Sequence, residues 1–243
     1  MRILFLRLGA IGDVVQCAMA IAIFKKENPQ TKVDWVVSQL LAPFVEALGV
    51  ADRVIPINYN GLVKGSFFLR LKIFGQEVLK LKSLGTYQKI ANAHADYRYN
   101  LLTGLVKVRE KNRLDRPFPI VHRYRVYEHF RLLTNLDSVD CDINIGLETV
   151  RQNLRLAAAN IQQALPSNYV VLAPGGAKNL LSDNPQRRWP IENYVELAKK
   201  LRTIGLQIVV VGAATDLWVS DSFHGEDVID LVGKTDLIGL FRL

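Results

Sequence analysis

The sequence predicts an α/β protein with parallel sheets, and two observations carry that prediction. The first 57 residues alternate short apolar runs with amphipathic segments in the order strand, helix, strand, helix, strand. The same alternation restarts after residue 166. Strands that alternate with helices pair in parallel, because the helices cross over on the faces of one sheet. A chain of 243 residues, 49% of them hydrophobic, can bury the cores of two such units.

Apolar spacing defines the elements of the first unit. Short continuous apolar runs are typical of buried parallel strands, and apolar residues three and four apart are typical of helices. The predicted strands are residues 3–8, 33–38, 53–57 and 89–93. The predicted helices are residues 13–26 and 40–48, one or two within 62–84, then 124–133 and 151–164. Pro166-Ser167-Asn168 forms the boundary, which predicts domains at 1–165 and 166–243.

The second unit repeats the pattern in less space. Its predicted elements are strands at 169–173, 207–211 and 228–231 and a helix at 191–204. Pro190 suits the first turn of that helix, and Gly205 suits its C-terminal cap. A Rossmann-type half commonly needs well over ~100 residues. Fewer than 80 follow the boundary, so we expect the second domain to be incomplete.

Charge and cysteine content restrict the partners and the compartment. The formal net charge is +8, and residues 64–131 alone hold 15 basic side chains against 5 acidic ones. An anionic partner is therefore expected on the first unit. Cys17 and Cys141 are too few for a disulfide framework and are typical of reduced thiols. No apolar run reaches the roughly 18 residues of a membrane helix, so we expect a cytoplasmic protein that can contact a membrane surface.

A glycine turn follows the first strand, with the sequence Arg-Leu-Gly-Ala-Ile-Gly-Asp at residues 7–13. Gly9 and Gly12 would let a ligand approach the backbone. The turn lies at the carboxyl end of a strand, where open α/β sheets bind ligands. Asp13 has two compatible interpretations. With Gln16 it fits a helix N-cap and capping box. As a carboxylate at the positive end of a helix dipole, it is also a candidate general base.

Other nucleotide and metal motifs are missing from the sequence. Gly9 and Gly12 do not complete a G-x-G-x-x-G fingerprint, and the Gly-Lys-Thr at residues 233–235 lacks the first glycine of a P-loop. The four histidines have no ligand spacing, so we predict no metal site and no cofactor. The Asp-Ser-Phe-His at residues 221–224 is interpreted as part of a polar loop.

A second glycine turn precedes a pair of arginines. The turn ends in Gly175 and Gly176, and Arg187 and Arg188 stand just before the helix that Pro190 opens. Backbone N–H groups, guanidinium groups and a helix N-terminus together favour binding of a phosphate or diphosphate. The alternative is that the arginines are solvated loop residues beside a packed tryptophan.

The basic stretch has more than one possible partner. Lys64, Arg70 and Arg98 belong to it, but no recognition helix or stacking sheet for nucleic acid accompanies them. Phe67 and Phe68, interleaved with lysines and arginines, suit an anionic lipid surface at least as well. Most of these charges are also explained by a solvated face.

The two turns together resemble the sequences of glycosyltransferase family 9, the ADP-heptose:lipopolysaccharide heptosyltransferases. The amino-terminal match is Met-Arg-Ile-Leu-x-x-Arg-Leu-Gly-Ala-Ile-Gly-Asp-Val-Val at residues 1–15. The carboxyl-terminal match has four parts. These are Ala-Pro-Gly-Gly at 173–176, Arg-Arg-Trp-Pro-x-x-x-Tyr-x-x-Leu-Ala at 187–198, Val-Val-Val-Gly at 209–212 and Leu-Val-Gly-Lys-Thr-Asp-Leu at 231–237.

The resemblance implies a GT-B fold, with two Rossmann-like domains facing a cleft. It implies an acceptor domain at 1–165, a nucleotide-sugar domain at 166–243, and inverting, metal-independent transfer to an anionic lipopolysaccharide core. Asp13 matches the family's proposed base. Arg187 stands where the family usually has a phosphate-binding lysine, and Gly175, Gly176 and Arg188 complete the implied donor site.

The implied acceptor side consists of Gly9, Gly12, Lys64, Arg70 and Arg98. These cations would fit an acceptor that bears phosphates and Kdo carboxylates.

One family motif is missing. The D-[ST]-G-x-x-H motif that helps to hold the donor does not follow the Gly-Lys-Thr stretch before the sequence ends at residue 243. We therefore expect a family member truncated at its C-terminus. Two alternatives stay open at this point. One is an inactive, truncated member that binds anionic glycolipid, and the other is a nicotinamide-dependent Rossmann enzyme, which the missing fingerprint disfavours.

Overall fold

A computed structural model of the protein describes residues 1–96, 98–114, 124–135, 141–159, 165–176, 184–241 and 243. The chain divides into two compact units, Met1–Leu154 and Arg155–Leu243. The sequence placed the change of domain at 165–166. Which unit binds the acceptor and which the donor stays a prediction. Within the described ranges, no helix has both the length and the hydropathy of a membrane span.

The first unit is built around a five-stranded sheet. Its elements in chain order are β1 (Arg2–Leu6), α1 (Ile11–Glu27), β2 (Lys32–Ser38), α2 (Ala42–Leu48), β3 (Arg53–Ile57), α3 (Tyr59–Val63), α4 (Phe67–Lys82), β4 (Thr86–Asn92), α5 (Arg98–Leu102), β5 (Lys107–Arg113), α6 (Arg125–Thr134) and α7 (Ile143–Ala157). The strand order is β3-β2-β1-β4-β5, and every neighbouring pair is parallel. The sheet therefore has a single edge at which all its strands end, here called the carboxyl edge.

The central strand β1 fixes the position of the turn that follows it. Ile3–Leu6 are fully buried, because β1 has a strand on each side and helices on its faces. Leu4 and Leu6 form one core with Val78 and Leu81 of α4. A buried central strand is a rigid support, so the residues that leave its carboxyl end are held in place.

The second unit contains a smaller parallel sheet, with strand order β6-β7-β8. Its helices and strands are β6 (Tyr169–Leu172), α8 (Ile191–Thr203), β7 (Gln207–Val210), α9 (Trp218–Ser222), β8 (Ile229–Asp230) and α10 (Leu237–Phe241). Short 3-10 turns lie at Pro185–Arg187 and Ala214–Asp216. Ile208 and Val210 of β7 pack with Ala198 of α8 in a separate core.

The predicted strands, the parallel pairing and most predicted helices are confirmed, and three local predictions need correction. The helix predicted at 151–164 begins eight residues earlier, as α7, and ends at Ala157, while residues 160–164 lie outside the described ranges. Three elements were missed: α5, α10 and the strand β5, whose outward side chains are charged. The loop that contains residues 221–224 includes the helix α9. The capping box at Asp13 is treated below.

Candidate active site

Asp13 lies in the first turn of α1, not at its N-cap. The helix begins at Ile11, and its N-cap is Ala10, which makes no side-chain capping bond. The side-chain oxygen of Gln16 is buried and has no hydrogen-bond partner among the described residues. The capping-box interpretation is therefore wrong, because the helix begins two residues before Asp13, the position at which the sequence predicted its start.

The Asp13 carboxylate is held by Arg7. One guanidinium nitrogen, Nη2, donates to Asp13 Oδ2, while Nη1 donates to the Ala93 carbonyl at 2.6 Å and Nε donates to the Gly9 carbonyl at 2.8 Å. Arg7 therefore ties the carboxylate, the glycine turn and the end of β4 together. The Arg7 side chain is 14% exposed and that of Asp13 is 34% exposed. The carboxylate is thus fixed in direction and still open to a substrate.

The turn backbone leaves open space beside Asp13. A Cβ atom added at Gly9 or Gly12 would meet no atom within 4 Å. Ala10 adopts φ 45°, a left-handed conformation that L residues other than glycine rarely adopt. Such strain persists only where the surroundings impose it, and it concentrates at functional sites. The turn is therefore a ligand-accessible site by its geometry.

His94 supports the same turn from β4. The Leu8 N–H donates to His94 Nε2 at 3.0 Å, and the His94 ring stacks on Tyr99 with centroids 3.8 Å apart. The Tyr99 hydroxyl lies 3.0 Å from that of Tyr59, which follows β3. Burial, with a further contribution from Arg7, lowers the pKa of His94 to about 3. His94 is therefore neutral at pH 7, with its proton on Nδ1, and acts here as an acceptor.

Two further titratable side chains near the turn are too buried to react. Burial lowers the pKa of His129 to about 3, and neither of its ring nitrogens has a hydrogen-bond partner among the described residues. Burial also raises the pKa of the Cys17 thiol. Cys17 stays a thiol and His129 stays neutral at pH 7. Of Cys17, His129 and Asp13, Asp13 is the residue that solvent reaches. This exposure favours Asp13 as the acid–base residue.

The two histidines predict that stability falls on mild acidification. Their pKa values of about 3 lie below the unfolded value of 6.5, so the unfolded chain binds more protons between these limits. The contribution of these two histidines to the free energy of unfolding is fully present above pH 6.5 and is lost as the pH falls toward 3. We expect a slope of about 1 kcal/mol per pH unit for each histidine, measured by urea unfolding between pH 6.5 and 5. His129→Gln should flatten this slope. An equal slope in the variant would contradict the assignment.

The predicted acceptor cations lie near the carboxyl edge, on segments that follow β3 and β4. Lys64 is exposed just after α3, and Arg70 is exposed on α4, where its Nε donates to the Leu62 carbonyl at 3.0 Å. Arg98 opens α5, and its guanidinium grips Asp96 with N–O distances of 2.5 and 2.9 Å. Part of the Arg98 charge is therefore offset within the protein.

The second glycine turn is organised by a buried aspartate that sequence reasoning missed. Asp216, 5% exposed, accepts from the Ala213 N–H at 3.0 Å and from the Gly176 N–H at 3.3 Å. A Cβ atom at Gly175 would lie 2.5 Å from Asp216 Cγ, so glycine is required there. This carboxylate joins the turn after β6 to the turn after β7. Gly176, its partner in the turn after β6, is 40 residues away in sequence, so no local sequence pattern reveals this contact.

The two arginines of this unit have different environments. Arg188 is half-buried, and its Nε donates to the Gly176 carbonyl at 2.8 Å, which braces the turn. Arg187 ends the 3-10 turn before α8 and is exposed. Trp189 packs edge-on against Tyr194 with centroids 5.0 Å apart. The Arg187 side chain is therefore accessible to an anionic ligand, whereas the Arg188 side chain stabilises the glycine turn.

Removing the Asp216 carboxylate should destabilise the second unit. In Asp216→Ala two backbone N–H groups lose their acceptor, and a buried, unsatisfied donor costs about 1–3 kcal/mol. We expect a lower thermal midpoint by circular dichroism than for Asp221→Ala, which removes an exposed carboxylate of α9. Equal midpoints for these two variants would show that Asp216 does not hold the turns.

Comparison with known proteins defines the class. The chain is similar to three solved structures that share its fold. The E. coli heptosyltransferase WaaC with ADP has 19% identity and a TM-score of 0.72 over 99% of this chain and 77% of that one. WaaC with ADP-2-deoxy-2-fluoro heptose has 19% identity and a TM-score of 0.72 over 99% of this chain and 78% of that one. The glycosyl transferase family 9 protein of Veillonella parvula has 18% identity and a TM-score of 0.67 over 98% of this chain and 71% of that one. The protein therefore has the GT-B glycosyltransferase fold.

The family follows from the sequence itself. The profile of "Glycosyltransferase family 9 (heptosyltransferase)" matches residues 89–243. The chain belongs to glycosyltransferase family 9 and is a glycosyltransferase. A sequence search of curated proteins found no match.

Proposed function

We propose that the protein transfers a heptose, or a related sugar, from an ADP-sugar to an anionic lipopolysaccharide-core acceptor, with inversion and without a metal ion. The observation that carries the proposal is the Asp13 carboxylate. It is fixed by Arg7, open to solvent, and set at a glycine turn on the carboxyl edge of a parallel sheet in a family 9 protein. The structures of WaaC with ADP and with an ADP-heptose analogue support this class of donor.

The reaction assigns one step to each of two side chains. Asp13 accepts the proton of an acceptor hydroxyl as that oxygen bonds to the anomeric carbon of the donor. The bond from this carbon to the β-phosphate oxygen breaks, and the electron pair leaves with ADP. Because attack and departure occur on opposite faces of the carbon, its configuration inverts. The Arg187 guanidinium stabilises the negative charge that develops on the departing diphosphate.

The remaining residues orient the two substrates. Gly175 and Gly176 allow the diphosphate to approach the backbone, and Arg188 holds their turn in place. Gly9 and Gly12 give the acceptor room beside Asp13. The exposed cations Lys64 and Arg70, with Arg98, attract the acceptor's phosphates and carboxylates. The enzyme would then act at the cytoplasmic face of the inner membrane, where such acceptors are assembled on lipid.

A transfer assay tests the proposal. The protein is incubated with ADP-heptose and a Kdo-bearing acceptor, and the products are followed by mass spectrometry. We expect the acceptor to gain one heptose for each ADP released. Acceptor binding without transfer would instead support the inactive, glycolipid-binding alternative. A nicotinamide enzyme would bind NADH, and NADH fluorescence should show no binding here.

A further inference from the structure

An exposed apolar segment opens helix α4. Residues 64–72 are exposed without interruption and are called here the Phe67–Phe68 surface. Phe67 is 70% exposed, Phe68 is 81% exposed and Leu71 is 56% exposed. The two phenylalanine rings contact each other edge to face, with centroids 5.8 Å apart. Contiguous apolar side chains of this size on a surface mark a site of interaction.

The helix below this surface is well anchored. Its opposite face buries Val78 and Leu81 in the sheet core and Ile73 beside Gly61 of α3. The Ser66 side chain caps the helix by accepting from the Leu69 N–H at 3.4 Å. The phenylalanines are therefore held outward on a fixed helix, because its inward face is already filled.

The charge of α4 selects the partner. Lys64 precedes the helix, and the exposed cations Arg70, Lys72 and Lys82 lie along it. Glu77, the one acidic residue of α4, is buried and accepts from the Asn58 N–H at 2.9 Å. The outer face of α4 therefore combines aromatic rings with positive charge and carries no exposed carboxylate. This combination fits an anionic lipid surface, into which rings insert while cations meet headgroup phosphates.

The surface also lies where an anionic acceptor would enter. α4 begins after α3, at the carboxyl edge, and runs back toward the start of β4. α5 also starts at the carboxyl edge and packs against α4. It adds Leu101, 57% exposed. The Phe67–Phe68 surface and Asp13 thus belong to the same edge of one sheet.

We propose that the Phe67–Phe68 surface docks the protein on an anionic phospholipid bilayer, with the two rings at the headgroup boundary and the α4 cations on lipid phosphates. This inference deepens the membrane location proposed above by naming its contact surface. It does not require Asp13 or any particular sugar. Docking at this edge would present Asp13 toward an acceptor that is itself anchored in the membrane.

Vesicle sedimentation tests the proposal. We expect the full chain to bind phosphatidylglycerol–phosphatidylethanolamine vesicles at least about 10-fold more tightly than phosphatidylcholine vesicles. Phe67→Ser/Phe68→Ser should weaken binding about 10-fold or more. Lys72→Gln, which removes the lysine nearest the two rings, should weaken it roughly 5-fold and reduce its salt dependence.

Matched controls separate this surface from general effects. Ile204→Ser removes an apolar side chain that is 71% exposed in the second unit, and Lys26→Gln removes an exposed cation at the far end of α1. Neither should change vesicle binding. Unchanged binding by the Phe67→Ser/Phe68→Ser variant would overturn the proposal. So would a wild-type dimer, seen by analytical ultracentrifugation, that this variant converts to a monomer, because the surface would then serve self-association.

The outcome is independent of the sugar-transfer proposal. The Phe67→Ser/Phe68→Ser variant should retain transfer to a deacylated, soluble acceptor and lose it only on vesicles. If no form of the protein transfers sugar, yet vesicle binding still depends on the rings, the proposed function fails and the docking surface stands.

Discussion

Asp13→Asn is expected to lower the kcat of sugar transfer by about 10²–10⁴-fold, the usual contribution of a general base. The amide has nearly the same shape as the carboxylate and its oxygen can still accept from Arg7, so the turn should keep its structure. It cannot take a proton from the acceptor hydroxyl. The donor KM should change little, because the proposed step does not involve donor binding.

The control for this experiment is a carboxylate on the same helix. Glu27 ends α1 and is exposed, so Glu27→Gln removes the same charge without touching the turn. We expect it to keep full activity and an unchanged thermal midpoint. If Asp13→Asn retained wild-type kcat while Glu27→Gln behaved as described, Asp13 would not be the base.

Arg187→Ala should produce the second large loss, about 10²–10³-fold in kcat. This is the range seen when one charge-stabilising donor is removed from a transition state. Arg187→Lys should recover part of it, since lysine keeps the charge but cannot bind a diphosphate through two parallel N–H groups. Steady-state kinetics with varied ADP-sugar measure both effects.

Variants of two other arginines of the second unit serve as controls for Arg187→Ala. Arg202, in the last turn of α8, pairs with Asp227 at 2.7 Å, and Arg202→Ala should leave kcat unchanged. Arg188→Ala should mainly lower the thermal midpoint and raise the donor KM, because it loses the bond to the Gly176 carbonyl. Equal losses for the variants at 187 and 202 would point to net charge and not to a specific contact.

Local sequence pattern was enough to locate most of the helices and strands and the first glycine turn. A buried apolar run, two glycines and a carboxylate are close in sequence, so β1, the turn and α1 could be predicted together. The long-range contact that supports the turn could not be predicted in this way. Arg7 lies within the motif, but His94 reaches Leu8 from 86 residues away. That contact exists only because β4 is the neighbour of β1 in the strand order.

The elements that were missed have physical reasons. β5 lies at the edge of its sheet, where exposed charges discourage pairing with other chains and remove the apolar signal. The start of α7 contains Gly146, which lowers helix propensity. A Cβ atom there would lie 2.7 Å from the Met19 carbonyl oxygen of α1, so the glycine permits close helix packing. Tertiary contact overrides local propensity at this position.

A crystal structure of the protein with ADP and a Kdo-bearing acceptor tests the central claim most directly. We predict that the diphosphate contacts the Arg187 guanidinium beside Gly175 and Gly176, and that an acceptor hydroxyl lies within hydrogen-bond distance of the Asp13 carboxylate. ADP bound away from Arg187, or an acceptor whose hydroxyls all lie out of reach of Asp13, would contradict the assignment of these two residues to one reaction.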